Sequence, residues 1–315
     1  MNPLSQDFVW QGRIDAEESG PSRRWHQHVE ALRDDSHGGV TLIGFAVDEG
    51  VRRNAGRPGA SAGPRALRTA LAGMPVLGEP AIFDAGDVHC EGERLEDAQA
   101  QLAGQVAAAI ARGSLPLVLG GGHELAWGSF QGIAAARPAP WRVVIVNLDA
   151  HFDLRVAACG NSGTPFRQIQ AHCAAAGRPF DYRVFGISRF ANTQALFQRA
   201  DALGVRYWLD EHLQDAAALA VVRQQLAADL AACDAAYLTI CLDVLPGGLA
   251  PGVSAPAALG VPLAQVEALI DTVLASGRLI AADIAELNPA FDRDGLTARV
   301  AARIAARVAR GWGEW

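Results

Sequence analysis

At 315 residues, 50% of them hydrophobic and 19% charged, the chain has the composition of a globular enzyme with a sizeable core rather than of a disordered segment. Its formal net charge of −7 gives no general attraction to phosphate backbones or anionic lipid; this argues against nucleic-acid or membrane-surface partners and leaves an anionic substrate dependent on local arginines. Five scattered cysteines without a C-x-x-C pair, no signal-peptide pattern over Met1–Trp10 and no apolar run near the ~18 residues of a membrane span point to a cytoplasmic protein.

The first 38 residues are polar, carry tryptophans and lack periodicity, so they are expected to lie on the surface of a single domain spanning 1–315, with its catalytic core at 39–315. Beyond them, short β-rich runs alternate with alanine-rich helical patterns, which predicts an α/β fold with a mostly parallel sheet covered on both faces. Strands are predicted at Val40–Phe45, Ala81–Asp84, Leu115–Leu119 and Arg142–Leu148. Four more follow at Tyr182–Ile187, Val205–Trp208, Ala236–Leu242 and Leu279–Ile284, which makes an eight-stranded sheet. Helical spacing marks Ala98–Arg112, Ala216–Ala232 and Leu263–Ala275, and Gly63-Pro64 reads as the start of another helix.

Four of these predicted strands end in residues that carry chemistry. After Leu115–Leu119 comes Gly120-Gly121-Gly122-His123-Glu124, where glycines permit close backbone approach and present His123 at the turn. It lacks the Lys-Ser/Thr of a phosphate loop, and His123 is either a metal ligand or a histidine bonded to backbone. After Val143–Val146 comes Asn147-Leu148-Asp149-Ala150-His151-Phe152-Asp153. Continued extended backbone would put Asp149, His151 and Asp153 on one face, where a divalent cation turns carboxylate repulsion into coordination.

Tyr237–Asp243 ends with Cys241 and Asp243 two residues apart; Asp243 is a ligand or a turn cap, and Cys241 a ligand or a packed thiol. The last predicted strand delivers Glu286 through Ala282–Pro289. Ligands of open parallel sheets bind beyond the strands' carboxyl ends, and all four segments deliver their polar residues there.

G-G-G-H-E, D-A-H-F-D and the late D-x-L-P…A-P-G segment resemble, in order and spacing, the ureohydrolases, the arginase and agmatinase superfamily. The resemblance covers most of the chain. Trp10–Asp15, Asp48–Asn54, Gly186–Asn192 and Ala282–Pro289 resemble more narrowly the branch that cleaves a formimidoyl group from an amino dicarboxylate. The resemblance implies a three-layer αβα fold and two Mn²⁺ ions. It places His123, Asp149, His151, Asp153 and Asp243 on metal-ligand positions and Glu286 on the carboxylate that pairs with amidine nitrogens. Asp153 is then the second catalytic residue, holding the nucleophile and passing its proton to the leaving amine.

Cys241 stands where arginases carry the first aspartate of D-x-D. As a softer ligand than the oxygen Mn²⁺ prefers, it leaves occupancy of the second ion open. A small dicarboxylate substrate calls for bidentate guanidinium groups, and Arg155, Arg167 and Arg189, with Asn192, are the candidate contacts. Homo-oligomers are compatible with this reading. The competing functions are another ureohydrolase, such as an agmatinase or guanidinobutyrase, and a metal-binding scaffold without turnover.

Overall fold

Runs of valine, leucine and isoleucine flanked by glycine and proline become strands buried on both faces, and the alanine-rich stretches between them become the covering helices. A computed structural model of the protein describes residues 8–78 and 80–312. In chain order its first half comprises β1 (Glu30–Ala31), β2 (Val40–Ala46), α1 (Glu49–Arg53), α2 (Gly63–Ala72) and β3 (Ile82–His89). There follow α3 (Leu95–Ala111), β4 (Leu115–Gly120), α4 (Leu125–Ala136), β5 (Val143–Leu148) and α5 (Pro165–Ala175). Next come β6 (Asp181–Ile187), α6 (Gln194–Ala202), β7 (Arg206–Leu209) and α7 (Ala216–Ala231). The chain closes with β8 (Ala235–Cys241), α8 (Leu263–Ala275), β9 (Leu279–Ala285) and α9 (Leu296–Trp312).

Among the described residues nine strands run parallel in the order β1-β3-β2-β4-β9-β8-β5-β6-β7. One face packs with α2, α7, α8 and α9, the other with α3, α4, α5 and α6, giving the three-layer αβα arrangement. The eight predicted strands are all present. The ninth is β1, a two-residue edge strand within the segment expected to lie on the surface, where Trp25 is also buried. Met1–Asp7 lies outside the described residues, and among those described no helix is long and apolar enough to cross a membrane.

The order of the central strands positions the site. β4, β9, β8 and β5 are consecutive neighbours, and being parallel they bring the four motif-bearing ends to one edge.

A buried ion network pins α2 and the N-terminal segment to this sheet. Arg68 donates from Nε and Nη2 to Asp84 at 2.9 and 2.8 Å and from Nη1 to Asp87, while Trp10 Nε1 donates to Asp84 at 2.8 Å. Truncating one partner leaves buried carboxylate charge uncompensated, so Arg68→Ala is expected to cost on the order of 3–5 kcal/mol in urea denaturation. A loss below about 1 kcal/mol would show that the network contributes only as an exposed pair does.

Candidate metal centre and active site

The glycine run places His123 by docking against β2. Gly121 and Gly122 donate to the carbonyls of Phe45 and Val47 at 3.0 and 2.9 Å. A Cβ on Gly121 would lie 2.1 Å from the Val47 oxygen and 2.4 Å from that of Phe45, so only glycine permits this approach. The turn then directs His123 over the ends of β5 and β8.

Asp149, His151 and Asp153 do converge, although not by strand alternation. β5 ends at Leu148, the chain turns, and Asp153 sits in the left-handed region at φ 49°. His123 Nδ1 lies 3.0 Å from Asp149 Oδ2 and 3.0 Å from Asp153 Oδ2. His151 Nδ1 lies 3.0 Å from Asp243 Oδ2, and its backbone N–H donates to Asp149 Oδ1 at 2.7 Å. Cys241 is the last residue of β8 and Asp243 sits in the 3₁₀ turn after it, and both line the same cavity. Two donor groups result, His123/Asp149/Cys241 and Asp149/His151/Asp243, each with ligand atoms within 4.8 Å of one another and sharing Asp149.

Glu286 follows β9 at φ 72°, with its N–H donating to Gly121 O at 2.8 Å. Its Oε1 accepts the His123 backbone N–H at 3.0 Å, whereas Oε2 is buried without a protein partner. Four non-glycine positions among the described residues have positive φ; three of them, Ala55, Asp153 and Glu286, line the same cavity. Backbone strain of this kind, about 1–3 kcal/mol each, persists where the surroundings enforce it.

That cavity encloses about 300 Å³. Its floor holds His123, His151, Asp153, Cys241, Asp243 and Glu286; its outer wall holds Asn54, Arg57, Arg155, Ser162 and Ser254. The expected substrate contacts divide accordingly. Arg155 lines the cavity, but Arg167 bonds Gln170 on α5 and Arg189 is exposed, 3.7 Å from Glu211. Neither arginine is brought to it. Asn192 braces the loop from Asp149 to Asp153 instead, donating to the carbonyls of Ala150 and Ser188 at 2.8 and 2.9 Å and accepting from Phe152 N at 3.1 Å.

Arg57, unanticipated from the sequence, reaches the wall with Nε on Ser254 O at 2.8 Å and its guanidinium 4.0 Å above the Phe291 ring. Its only sequence signal is its place just after the Asp48–Asn54 stretch.

The electrostatics fit a cation. Burial opposes charging of His123, but the Asp149 and Asp153 carboxylates outweigh it and hold its pKa well above the usual histidine range. His151 is raised in the same way against burial by Asp243 and Asp149. Burial and the Asp149 charge push Asp153 up to about 6, and burial and Asp243 push Glu286 up to about 7. Burial, reinforced by Asp243 and Asp149, also raises the Cys241 thiol. In a cluster without metal, protons supply the positive charge. Divalent metal displaces such protons from imidazole, carboxylate and thiol ligands. His123 Nδ1 is buried between two carboxylate oxygens without forming a directed hydrogen bond, as a ligand nitrogen would be.

A three-layer parallel fold that gathers these groups beyond its central strand ends defines an arginase-like hydrolase scaffold with a candidate metal centre. The chain belongs to the arginase family, whose family model matches residues 39–310. It is 56% identical to the formimidoylglutamase of Ralstonia nicotianae, over 99% of this chain and 97% of that one. The Hahella chejuensis formimidoylglutamase is 52% identical, over 97% and 95% of the two chains. Among solved structures, Trypanosoma cruzi formiminoglutamase with Mn²⁺ superposes with a TM-score of 0.82 at 26% identity, covering 93% of this chain and 99% of that one. Formimidoylglutamase from Bacillus subtilis shares the fold, with a TM-score of 0.83 at 20% identity and 96% coverage of both chains.

Glu124, next to His123, is fully buried; Gly50 N donates to its Oε1 at 2.8 Å and Oε2 has no partner. Burial and the Glu286 charge push its carboxyl from an ordinary 4.5 up to about 8. Below the unfolded value both states are protonated. Between the two values the unfolded chain releases a proton that the folded chain keeps, so stability falls as pH rises from about 4.5 to about 8. Metal-free Glu124→Gln is expected to show a shallower fall in denaturant-measured stability over that window than the wild type. Identical slopes would contradict the assignment.

Proposed function

We propose that this chain, as a single ureohydrolase domain, hydrolyses N-formimidoyl-L-glutamate to L-glutamate and formamide, the reaction of histidine degradation, with two Mn²⁺ ions per subunit. The observation that carries the proposal is the 56% identity over nearly the full length to a formimidoylglutamase, together with an arginine wall above a carboxylate-lined floor. His123, Asp149, Asp153 and Cys241 would hold one ion and Asp149, His151 and Asp243 the other, with Cys241 as a softer donor on the first. Bound divalent metal supplies the acidification of water that makes hydroxide available near neutral pH.

The chain's own groups then account for orientation and proton movement. Glu286 Oε2, buried and unpaired, accepts the amidinium N–H groups and turns the formimidoyl carbon toward the floor, while the His123 N–H keeps Oε1 in place. Asp153, at the cavity floor beside His123, would take a proton from the nucleophile and return it to the departing amine. Arg155, with Arg57 beside it on the wall, pairs with the substrate carboxylates. A cationic aminoalkyl tail, as on agmatine, would face those two guanidinium groups instead of carboxylates, which disfavours the guanidino substrates. A scaffold without turnover would have no use for a Glu286 held at positive φ with Oε2 buried and unpartnered.

The test offers Mn²⁺-reconstituted protein formimidoylglutamate, agmatine and arginine in parallel. Turnover is expected with the first, and Arg155→Ala is expected to lower kcat/KM for it by about 10- to 100-fold, the loss of a charge-assisted hydrogen bond. Preferred turnover of a guanidino compound would contradict the substrate. Wild-type kinetics in Arg155→Ala would contradict the wall.

A further inference from the structure

Directly beneath the metal donors lies a second row of polar side chains that the proposed reaction does not use. Asn147 on β5, Thr239 on β8 and Asp283 on β9 are register partners across three adjacent strands, one pleat repeat below Asp149, Cys241 and Ala285. All three are fully buried. Asn147 Nδ2 donates to Asp149 Oδ2 at 3.1 Å, tying the row to the tier above. Thr239 Oγ1 lies 2.9 Å from His123 Nε2. Beside it, Asp283, the register partner of Thr239, takes the Tyr237 hydroxyl on Oδ2, while its Oδ1 and the neighbouring Ser129 hydroxyl are buried without a directed hydrogen bond. A carboxylate with no cation of its own sits there in an apolar layer, next to a polar chain that leads straight to His123.

We propose that Asp283, acting through Thr239, is a positioning residue that fixes the His123 tautomer and points the Nδ1 lone pair at the metal. The argument is one of donors and acceptors, and it rests on the metal reading of the site given above. A threonine hydroxyl has one proton to give, and an ionised carboxylate can only accept. With the Thr239 proton directed at Asp283, Thr239 Oγ1 meets His123 Nε2 as an acceptor, so Nε2 must carry the imidazole proton. Nδ1, 3.0 Å from both Asp149 and Asp153, is then left with its lone pair among the metal donors. Without the anion the hydroxyl is free to donate to Nε2, which moves the imidazole proton to Nδ1 and blocks coordination. Outer partners of this kind orient metal-bound histidines, and their loss weakens metal affinity by about 10- to 100-fold.

The experiment measures Mn²⁺ affinity, by competition with a fluorescent chelator, for the wild type, Asp283→Asn, Thr239→Val and Thr239→Ser, alongside the Tm of each metal-free protein. Asp283→Asn keeps the shape but offers an N–H to the hydroxyl; Thr239→Val keeps the shape without a hydroxyl; Thr239→Ser restores it. Affinity is expected to fall about 10- to 100-fold in Asp283→Asn and Thr239→Val and to stay within about threefold of wild type in Thr239→Ser, with little change in metal-free Tm. Equal affinity in all four proteins overturns the relay. So does a loss in Thr239→Ser as large as in Thr239→Val, which would mark a packing role. Should Asp283→Asn fail to fold, the Thr239 pair decides alone. A wild type that binds no Mn²⁺ overturns the metal reading itself, a result distinct from failure of the relay.

Discussion

Three carboxylates, Asp153, Asp243 and Glu286, line one cavity of about 300 Å³, the fully buried Asp149 lies against the same histidines, and the mutual repulsion of these four is the constraint around which the protein is arranged. Charges so close and so poorly hydrated must be neutralised, by protons or by a cation. The two histidines with raised pKa, and Asp153 and Glu286 displaced toward neutrality, are the proton solution. The donor geometry is that of the cation solution: two ligand groups sharing Asp149, with an imidazole nitrogen aimed between carboxylate oxygens.

Holding that arrangement falls to the sheet. The strands that supply it are central, parallel and buried, so their ends cannot drift apart without breaking ladders on both sides. Positive φ at Asp153 and Glu286 aims side chains that an ordinary strand exit would turn away, and Asn192 ties the Asp149–Asp153 loop to the end of β6. The polar row beneath extends this bracing one layer into the core, so two tiers of hydrogen bonds separate the donors from purely apolar packing. The Arg57 and Arg155 wall is held differently, by loops and, for Arg57, by a cation–π contact with Phe291.

Much of this was legible in the sequence. Apolar runs of strand length announced eight strands, and the polar residues at four of their ends announced the floor of the site. What was missed has physical reasons. β1 has two residues and no pattern to read. β3 runs to His89, beyond the expected Asp84, because Gly86 passes through the ladder at φ 83° where glycine normally signals a turn. Strand alternation was the wrong cause for the convergence of Asp149, His151 and Asp153, since the strand ends at Leu148 and a strained loop brings them together. The arginines were hardest: a loop arginine has no periodicity to give it direction, so Arg155 could not be told from Arg167 and Arg189, or Arg57 found.

The account turns on whether this cluster is built for a cation, and thermal denaturation tests that most directly. Chelator-treated protein at constant pH should gain stability on adding Mn²⁺, by about 2.7 kcal/mol when the free ion stands at 100 times its Kd, with Tm rising accordingly. The gain should vanish in Asp149→Ala, which removes the carboxylate common to both donor groups. A wild-type Tm indifferent to Mn²⁺, or an equal rise in Asp149→Ala, would contradict it.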